Sequence, residues 1–246
     1  MLHSLKDIKA VSDKRVVLLQ SGGLDSCYLA SLLSSYGYDI HHVYIDYGQN
    51  SKAQELSAAK KIVSRYGGVL HCVSLTMPWL ETSTVLVNDQ KVEEYAVPTK
   101  FGCVEAKTYV PLRNHVLISI AGSLAEALGI QYIASGLDGT QDLLGRPTKG
   151  TPDKHTKFAQ RLEKSMSEGS TLKHIEHRDI EIIAPLIGQT KEHTITHGTN
   201  VLHTHWEESW TCYNNTEKPC GECCACVDRL NHFKNAGITD PTEYLK

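Results

Sequence analysis

Five short apolar runs recur along the chain, each of the length of a buried strand. They are RVVLLQ (15–20), IHHVYID (40–46), VLHCVSL (69–75), IQYIASG (130–136) and DIEIIAP (179–185). Segments of helical length separate most of these runs, so the pattern predicts repeated βαβ units. We therefore expect an α/β fold with a doubly wound, mainly parallel sheet, in which ligands bind at the carboxyl ends of the strands.

Two of the intervening segments have helical patterns. In 51–67, apolar residues recur at steps of three or four and define one helix face, formed by Ala53, Leu56, Ala59, Val63 and Tyr66. The segment 114–128 is apolar almost all round, which predicts a buried helix. The segments 76–112 and 136–156 contain prolines and glycines and are long for connections, so we expect them to cover a site.

The first apolar run leads directly into SGGLDS, residues 21–26. Two glycines after a strand allow a tight turn and leave backbone N–H groups accessible, and a helix that starts near Asp25 adds its positive end. Ser21 and Ser26 supply hydroxyl donors, so the segment predicts an anion site. Asp25 would repel a phosphate unless it caps the helix or holds a bridging Mg²⁺.

Length and charge exclude several classes of protein. The 246 residues suffice for one large α/β domain with a substantial core. The formal net charge is −3, without a block of like charges, so a nucleic-acid partner is not expected. No run approaches the ~20 apolar residues of a membrane span, and the first ten residues lack the apolar core of a signal peptide. We expect a soluble cytoplasmic protein with no membrane partner.

A cysteine cluster near the end of the chain indicates a metal site. Cys212, Cys220, Cys223 and Cys226 have the spacing C-x7-C-x2-C-x2-C, which is typical of a closed tetrahedral site for one structural Zn²⁺. The competing interpretation is a zinc ribbon that binds nucleic acid, but residues 212–246 hold four Lys/Arg against five Asp/Glu. We expect a principal domain at 1–211 and a four-cysteine segment at 212–246 that packs on it.

SGGLDS resembles the SGGxDS loop of the PP-loop ATP pyrophosphatases, enzymes of HUP-like fold that cleave ATP between its α and β phosphates. Four further segments are similar to the 7-cyano-7-deazaguanine synthase (QueC) family of the queuosine pathway. They are YIDYGQNSKAQEL (44–56), TYVPLRNHVLISIAGSLAEALG (108–129), APLIGQTKEHT (184–194) and WTCYNNTEKPCGECCACVDR (210–229). Their order and spacing agree from residue 16 to about 237.

The resemblance implies roles for individual residues. The catalytic residues would be Ser21, Asp25, Ser26, Arg113 and Lys191. These five residues, together with Gly22, Gly23 and Leu24 of the loop, would hold ATP with Mg²⁺. The substrate would contact Asn114 and one or more of Asp138, Asp142 and Asp153. Some of these residues have structural alternatives: each aspartate could cap a helix or form a turn, Arg113 could bind carbonyl groups, and Lys191 could be a solvated lysine at a helix start. Cys224 is not a ligand in the family pattern.

The resemblance also implies an ATP-dependent ligase. Such an enzyme converts 7-carboxy-7-deazaguanine and ammonia to 7-cyano-7-deazaguanine (preQ0) through an acyl-adenylate and an amide, with release of AMP and pyrophosphate. The family further implies a homodimer. Two rivals on the same fold are sulfur insertion into tRNA, for which Cys103 is the candidate thiol, and a nucleotide sensor that binds ATP without cleaving it.

Three departures from the family pattern lie where the acceptor should bind. Residues 142–158 read DLLGRPTKGTPDKHTKF instead of DYSGYPDCRPEF, so Lys154 and His155 replace a Cys-Arg pair. Leu112 replaces the glycine of VPGRN, and QNS at 49–51 replaces QRH. These changes leave open an alternative in which a related enzyme, of the antiphage-defence type, transfers an adenylated deazaguanine carboxylate to a protein amine.

Overall fold

The computed structural model describes residues 4–87, 108–141, 147–149 and 152–245. Five of its strands are β1 (Arg15–Leu19), β2 (Asp39–Asp46), β3 (Val69–Ser74), β4 (Tyr132–Ala134) and β7 (Glu181–Ile183). They form one parallel sheet in the order β3-β2-β1-β4-β7. The prediction of a doubly wound parallel sheet is confirmed, and each of the five apolar runs forms a strand.

The helices cover both faces of this sheet. They are α1 (Leu5–Ala10), α2 (Leu24–Ser35), α3 (Lys52–Tyr66), α4 (Leu80–Ser83), α5 (Arg113–Ala127), α6 (Thr156–Gly169), α7 (Thr171–Glu176), α8 (Lys191–His197) and α9 (Cys224–Asn235). A short antiparallel pair, β5 (Thr140–Gln141) and β6 (Pro147–Lys149), follows β4. No helix in these described ranges is both long enough and apolar enough to cross a membrane.

The side chains of β1 alternate between the two halves of the core. Val16 and Leu18 pack in one cluster with residues of α2, whereas Val17 packs in another with residues of α5. This alternation follows from the two-residue period of a strand. Since β2 and β4 pair with opposite edges of β1, the chain order reverses between β1 and β4, and the carboxyl ends of these two strands form the topological switch point.

Two expectations about helix faces need correction. The face predicted for α3 is partly wrong, because Ala53 is exposed and the fully buried positions include Ala58 and Ile62. Near its start, the Glu55 carboxylate accepts local hydrogen bonds from Ser51 Oγ (2.7 Å) and Gln49 Nε2 (2.9 Å). Helix α5 is half-buried rather than enclosed: Ile118, Ala121, Gly122 and Ala125 are covered, but other positions reach solvent.

Parts of the predicted covering segments fall outside the described residues, as do Asp142 and Cys103. In the described part of 76–112, Met77, Leu80, Leu86 and Val110 form a small apolar cluster. Partly buried side chains that include Tyr47 and Tyr213 pack against it. That the two segments cover a ligand site therefore stays a prediction.

Candidate nucleotide site and cysteine cluster

The SGGLDS segment forms a tight turn between β1 and α2. Gly22 has a φ of +76°, and a Cβ built there would lie 2.4 Å from the carbonyl oxygen of Glu55, so both its backbone conformation and its packing require glycine. Gly23 is the N-cap of α2 and donates its N–H to Ser21 Oγ at 3.3 Å, while Ser26 Oγ donates to the Gly23 carbonyl at 2.9 Å. The serines hold the turn at the positive end of a twelve-residue helix, an arrangement suited to an anion.

The exit of β4 lies against the same turn. A Cβ built on Gly136 would lie 2.8 Å from Cβ of Asp25, so only glycine lets the two segments approach this closely. The segment before the cysteine cluster also reaches the turn, because Trp210 N–H donates to the Gly22 carbonyl at 2.8 Å. These two contacts could not be predicted from the sequence, since they depend on the order of the strands and on the path of the C-terminal segment.

Lys191 lies between two carboxylates at the switch point. It is the first residue of α8, which Thr190 caps by accepting the His193 N–H on Oγ1 at 3.1 Å. Lys191 Nζ contacts the Asp25 carboxylate and lies 2.9 Å from Asp138 Oδ2. The alternative of a solvated lysine is therefore wrong, and three predicted site residues from three separate segments meet here.

These contacts shift the pKa values of Lys191 and Asp138. Burial by itself would lower the pKa of Lys191, but the carboxylates of Asp25 and Asp138 outweigh it and raise that pKa above its ordinary value. Burial would likewise raise the pKa of Asp138, but Lys191 and Lys154 outweigh it and hold that pKa well below its usual range. Lysine and aspartate are thus both charged at neutral pH, and the site carries fixed charges of both signs.

Lys154, which the sequence did not single out as a site residue, is the fourth member of this group. Its Nζ lies 2.9 Å from Asp138 Oδ1, the oxygen that Lys191 does not bind. Lys154 is far from Asp138 in sequence and lies in the short 3-10 helix 152–154 before α6. Only its position in place of the family's cysteine could have drawn attention to it.

Arg113 lies at the start of α5 beside aromatic side chains. Its Nη1 donates to Tyr47 Oη at 3.3 Å. The pKa of Arg113 is raised chiefly by Tyr47, with further contributions from Tyr213 and Glu55, against the opposing effect of burial. Within the described residues, no hydrogen bond or ion pair joins Arg113 to the 21–26 loop, so a contact with phosphate stays a prediction.

The remaining predicted substrate residues lie near one another. Asn114 Nδ2 lies 3.5 Å from the carbonyl oxygen of Asp153, which connects the first turn of α5 to the 152–154 helix. Leu112, which precedes α5, has a left-handed backbone with a φ of +50° and a side chain that is 63% exposed. The structure therefore keeps the glycine-like conformation at this position although the residue is leucine.

The four predicted zinc ligands form a compact group. The sulfur atoms of Cys212, Cys220, Cys223 and Cys226 lie within 4.8 Å of one another. The Sγ–Sγ distances are 3.5 Å for Cys212–Cys220, 3.9 Å for Cys220–Cys226 and 3.9 Å for Cys212–Cys223. A tetrahedron of thiolates with Zn–S bonds of about 2.3 Å has edges of about 3.8 Å, so the residues fit a zinc ion. Cys224 is outside the group.

Backbone and side-chain contacts support this cluster. Backbone N–H groups point at the sulfurs, from Cys220 to Cys212 Sγ at 3.4 Å and from Cys223 to Cys220 Sγ at 3.3 Å. The side-chain amide of Asn214 also donates, from Nδ2 to Cys220 Sγ at 3.4 Å. Donors around a metal site of this kind fix its ligands in place.

Comparisons with known proteins agree with these observations. The sequence matches the family described as "Queuosine biosynthesis protein QueC" over residues 15–237. A 7-cyano-7-deazaguanine synthase from Clostridium kluyveri is 35% identical, over 94% of this chain and 98% of its own length. The enzyme of the same name from Thermoplasma acidophilum is 32% identical, over 95% of this chain and 93% of its own length.

A solved NMN synthetase from Francisella tularensis is a more distant match. It has a TM-score of 0.46 and 13% sequence identity, and the match covers 96% of this chain and 87% of that one. A likeness at this level supports no statement about activity.

Proposed function

The chain belongs to the QueC family of queuosine biosynthesis proteins, and from that premise we propose that it is an ATP-dependent enzyme that makes 7-cyano-7-deazaguanine from 7-carboxy-7-deazaguanine and ammonia. The observation that carries this proposal is the SGGLDS turn at the switch point of the sheet, in a chain that matches the family along nearly all of its length. Relatives named 7-cyano-7-deazaguanine synthase support the choice of substrate.

The chemistry explains the need for ATP. A carboxylate is a poor electrophile, so its oxygen attacks the α phosphorus of ATP, which expels pyrophosphate and leaves an acyl-adenylate. Ammonia then displaces AMP to give the amide. The amide oxygen is adenylated in turn by a second ATP, and loss of the N–H protons with the second AMP leaves the nitrile. Each nitrile therefore consumes two ATP, and no protein nucleophile is required.

The residues of the site would act by positioning and by stabilising charge. The N–H groups of the 21–26 turn and the positive end of α2 would bind the phosphates, and Lys191 and Arg113 would balance negative charge as pyrophosphate leaves. Asp25 would hold Mg²⁺, which supplies charge neutralisation for the phosphate oxygens when bound. Asp138 would hold Lys154 and Lys191 in place, because each of its two oxygens binds one ammonium group. The carboxylate that accepts hydrogen bonds from the guanine-like edge of the base would then be Asp142 or Asp153.

A direct test uses the purified protein with 7-carboxy-7-deazaguanine, ATP, Mg²⁺ and ¹⁵N-ammonium. Mass spectrometry should detect the nitrile with one ¹⁵N atom, together with AMP and pyrophosphate. Release of pyrophosphate without any deazaguanine product would contradict the proposal. ATP binding without pyrophosphate release would favour the nucleotide sensor instead.

A second candidate function rests on the altered segment 142–158, in which five extra residues and the pair Lys154-His155 depart from the family pattern. In this alternative, the enzyme adenylates the carboxylate of a deazaguanine and transfers the acyl group to a protein amine. Intact-protein mass spectrometry of the enzyme and of an added acceptor protein distinguishes the two functions, because transfer gives a protein adduct of increased mass and one AMP per product, whereas nitrile synthesis leaves the protein mass unchanged.

We also propose that residues 212–246 bind one Zn²⁺ and pack on the 1–211 domain, and that the enzyme is a homodimer. The tetrahedral fit of the four sulfurs supports the zinc ion. The hydrogen bond from Trp210 to Gly22 supports close packing of the segment that leads into the cysteine cluster. Light scattering coupled to size-exclusion chromatography tests the dimer.

A further inference from the structure

Four charged side chains at the switch point form an alternating chain. Asp25 contacts Lys191, Lys191 lies 2.9 Å from Asp138 Oδ2, and Asp138 Oδ1 lies 2.9 Å from Lys154. The sequence of charges is therefore negative, positive, negative, positive. The negative end is Asp25, in the turn predicted to hold the phosphates, and the positive end is Lys154, on the far side of Asp138.

The two ammonium groups differ in how far their charge is neutralised. Lys191 lies between two carboxylates, whereas Lys154 has Asp138 as its sole ion-pair partner among the described residues. Lys154 is also the more accessible, with 31% of its side chain exposed against 20% for Lys191. An ammonium group has three donors, so Lys154 keeps donors available for a second anion.

The backbone around Lys154 is tightly held. Its carbonyl accepts the Gly139 N–H at 3.1 Å, directly after Asp138. A Cβ on Gly139 would lie 2.6 Å from that carbonyl oxygen, so glycine is needed for this approach. Asn114 contacts the carbonyl of the preceding residue, Asp153. Lys154 is therefore fixed beside the exit of β4 rather than carried on a free surface loop.

We propose that Lys154 binds the carboxylate of the acceptor and thereby selects an acidic substrate at this site. The inference rests on the proposed function, and it adds a residue and a charge requirement to it. Asp138 separates Lys154 from Lys191, so the acceptor carboxylate and the phosphates of ATP would contact different cations. Bound in this way, the carboxylate would be oriented before its oxygen attacks the α phosphorus.

The test compares variants by their KM for each substrate. Lys154→Met removes the charge but keeps an unbranched chain, and we expect it to raise the KM for 7-carboxy-7-deazaguanine at least tenfold while the KM for ATP changes less than twofold. Lys154→Arg should recover most of this loss. The matched control is Lys157→Met, which removes an exposed lysine three residues away and should leave both constants unchanged.

The other possible source of the anion is ATP itself. If Lys154 binds a phosphate of ATP, Lys154→Met raises the KM for ATP instead, and the proposal is wrong. A fall in kcat with both KM values unchanged would also overturn the proposal, because that result indicates general disruption of the site.

A second arm supplies 7-amido-7-deazaguanine, which carries no charge, in place of the carboxylate. Lys154→Met should convert the amide to the nitrile with a KM within twofold of the wild-type value. If the substitution raises the KM for the amide as much as the KM for the carboxylate, a charge-based role of Lys154 is refuted. The wild-type protein separates the two hypotheses. If the wild type turns over the carboxylate and Lys154→Met does so with unchanged constants, only the role of Lys154 is wrong. If the wild type turns over neither compound, both the proposed function and the role of Lys154 are wrong.

Discussion

Lys191 brings together the two parts of the site that the sequence could not place relative to each other. It contacts Asp25 in the 21–26 turn and Asp138 after β4. The lowered pKa of Asp138 and the raised pKa of Lys191 both favour the charged forms. The ion pairs therefore contribute their full stability in the pH range between the pKa values of the unfolded chain, about 3.9 for Asp and about 10.4 for Lys. This contribution should be lost as the pH falls toward the depressed pKa of Asp138 or rises toward the elevated pKa of Lys191.

Replacing Lys191 by methionine should therefore damage both activity and stability. Two partly buried carboxylates lose their shared partner, so we expect the free energy of unfolding to fall by about 1–3 kcal/mol and pyrophosphate release to fall by about a hundredfold or more. Lys173→Met is the matched control, because Lys173 also bridges two carboxylates, Glu168 and Asp179, but at the surface. If pyrophosphate release survives in Lys191→Met, the assigned role is wrong.

His42 provides a test of pH dependence at a buried residue. It is fully buried in β2 with Nε2 3.0 Å from the Gly67 carbonyl, and burial lowers its pKa to about 4. The unfolded chain has a histidine pKa of about 6.5, so between pH 6.5 and pH 4 it binds a proton that the folded protein excludes. Stability should fall over this window, by up to about 3 kcal/mol at its acid end.

The comparison uses His42→Gln and the control His174→Gln. His174 Nε2 also lies close to a backbone carbonyl, that of Glu168, at 2.8 Å, but the residue is exposed. Denaturant unfolding at pH 4.5 and pH 7 should show a smaller acid loss in His42→Gln than in the wild type, whereas the control should follow the wild type. Equal pH profiles for all three proteins would refute this account of His42.

Leu112 should carry local strain. A left-handed backbone costs a non-glycine residue about 1–2 kcal/mol, and the exposed side chain loses little burial on truncation. We expect Leu112→Gly to stabilise the protein by about 1 kcal/mol in thermal unfolding. The control is Ile175→Gly, at an exposed helical position in α7, which should destabilise by about 1 kcal/mol. A loss of stability in Leu112→Gly would contradict the strain.

The existence of the strands was readable from the sequence because each apolar run is short and bounded by turn residues. Their order was not, because sequence neighbours such as β3 and β4 lie on opposite sides of β1. The inward side of α3 was misjudged in part, because Glu55 accepts local hydrogen bonds from Ser51 and Gln49 at the start of the helix, and an apolar pattern does not record polar contacts. The contacts of Lys154 with Asp138 and of Gly136 with Asp25 also depend on the sheet order, so they could not be predicted from the sequence.

The cysteine segment was predictable in detail because metal-ligand spacing is a local property. We expect Cys223→Ser to lose zinc and to unfold at a lower temperature, since a structural metal contributes its binding free energy to folding. Cys224→Ser changes the adjacent thiol, which is outside the group of four, and should keep one zinc ion per chain. Metal content by mass spectrometry together with thermal unfolding checks both. Retention of zinc by Cys223→Ser would exclude this ligand set.

At the scale of the whole molecule, the sheet, the turn and the C-terminal segment converge on one edge. The turn leaves β1, Asp138 follows β4, Lys191 begins the helix after β7, and Trp210 connects the turn to the segment before the cysteines. Each part alone has an ordinary structural role. Their meeting at the switch point makes a site for a phosphorylated ligand beside fixed charges of both signs, as ATP-dependent activation of a carboxylate requires.

The stoichiometry of ATP cleavage tests the central claim most directly. With excess ammonium and a limiting amount of 7-carboxy-7-deazaguanine, the account predicts two AMP and two pyrophosphate for every nitrile formed, with no ADP. Formation of ADP and phosphate, or AMP release that does not depend on the deazaguanine carboxylate, would contradict it.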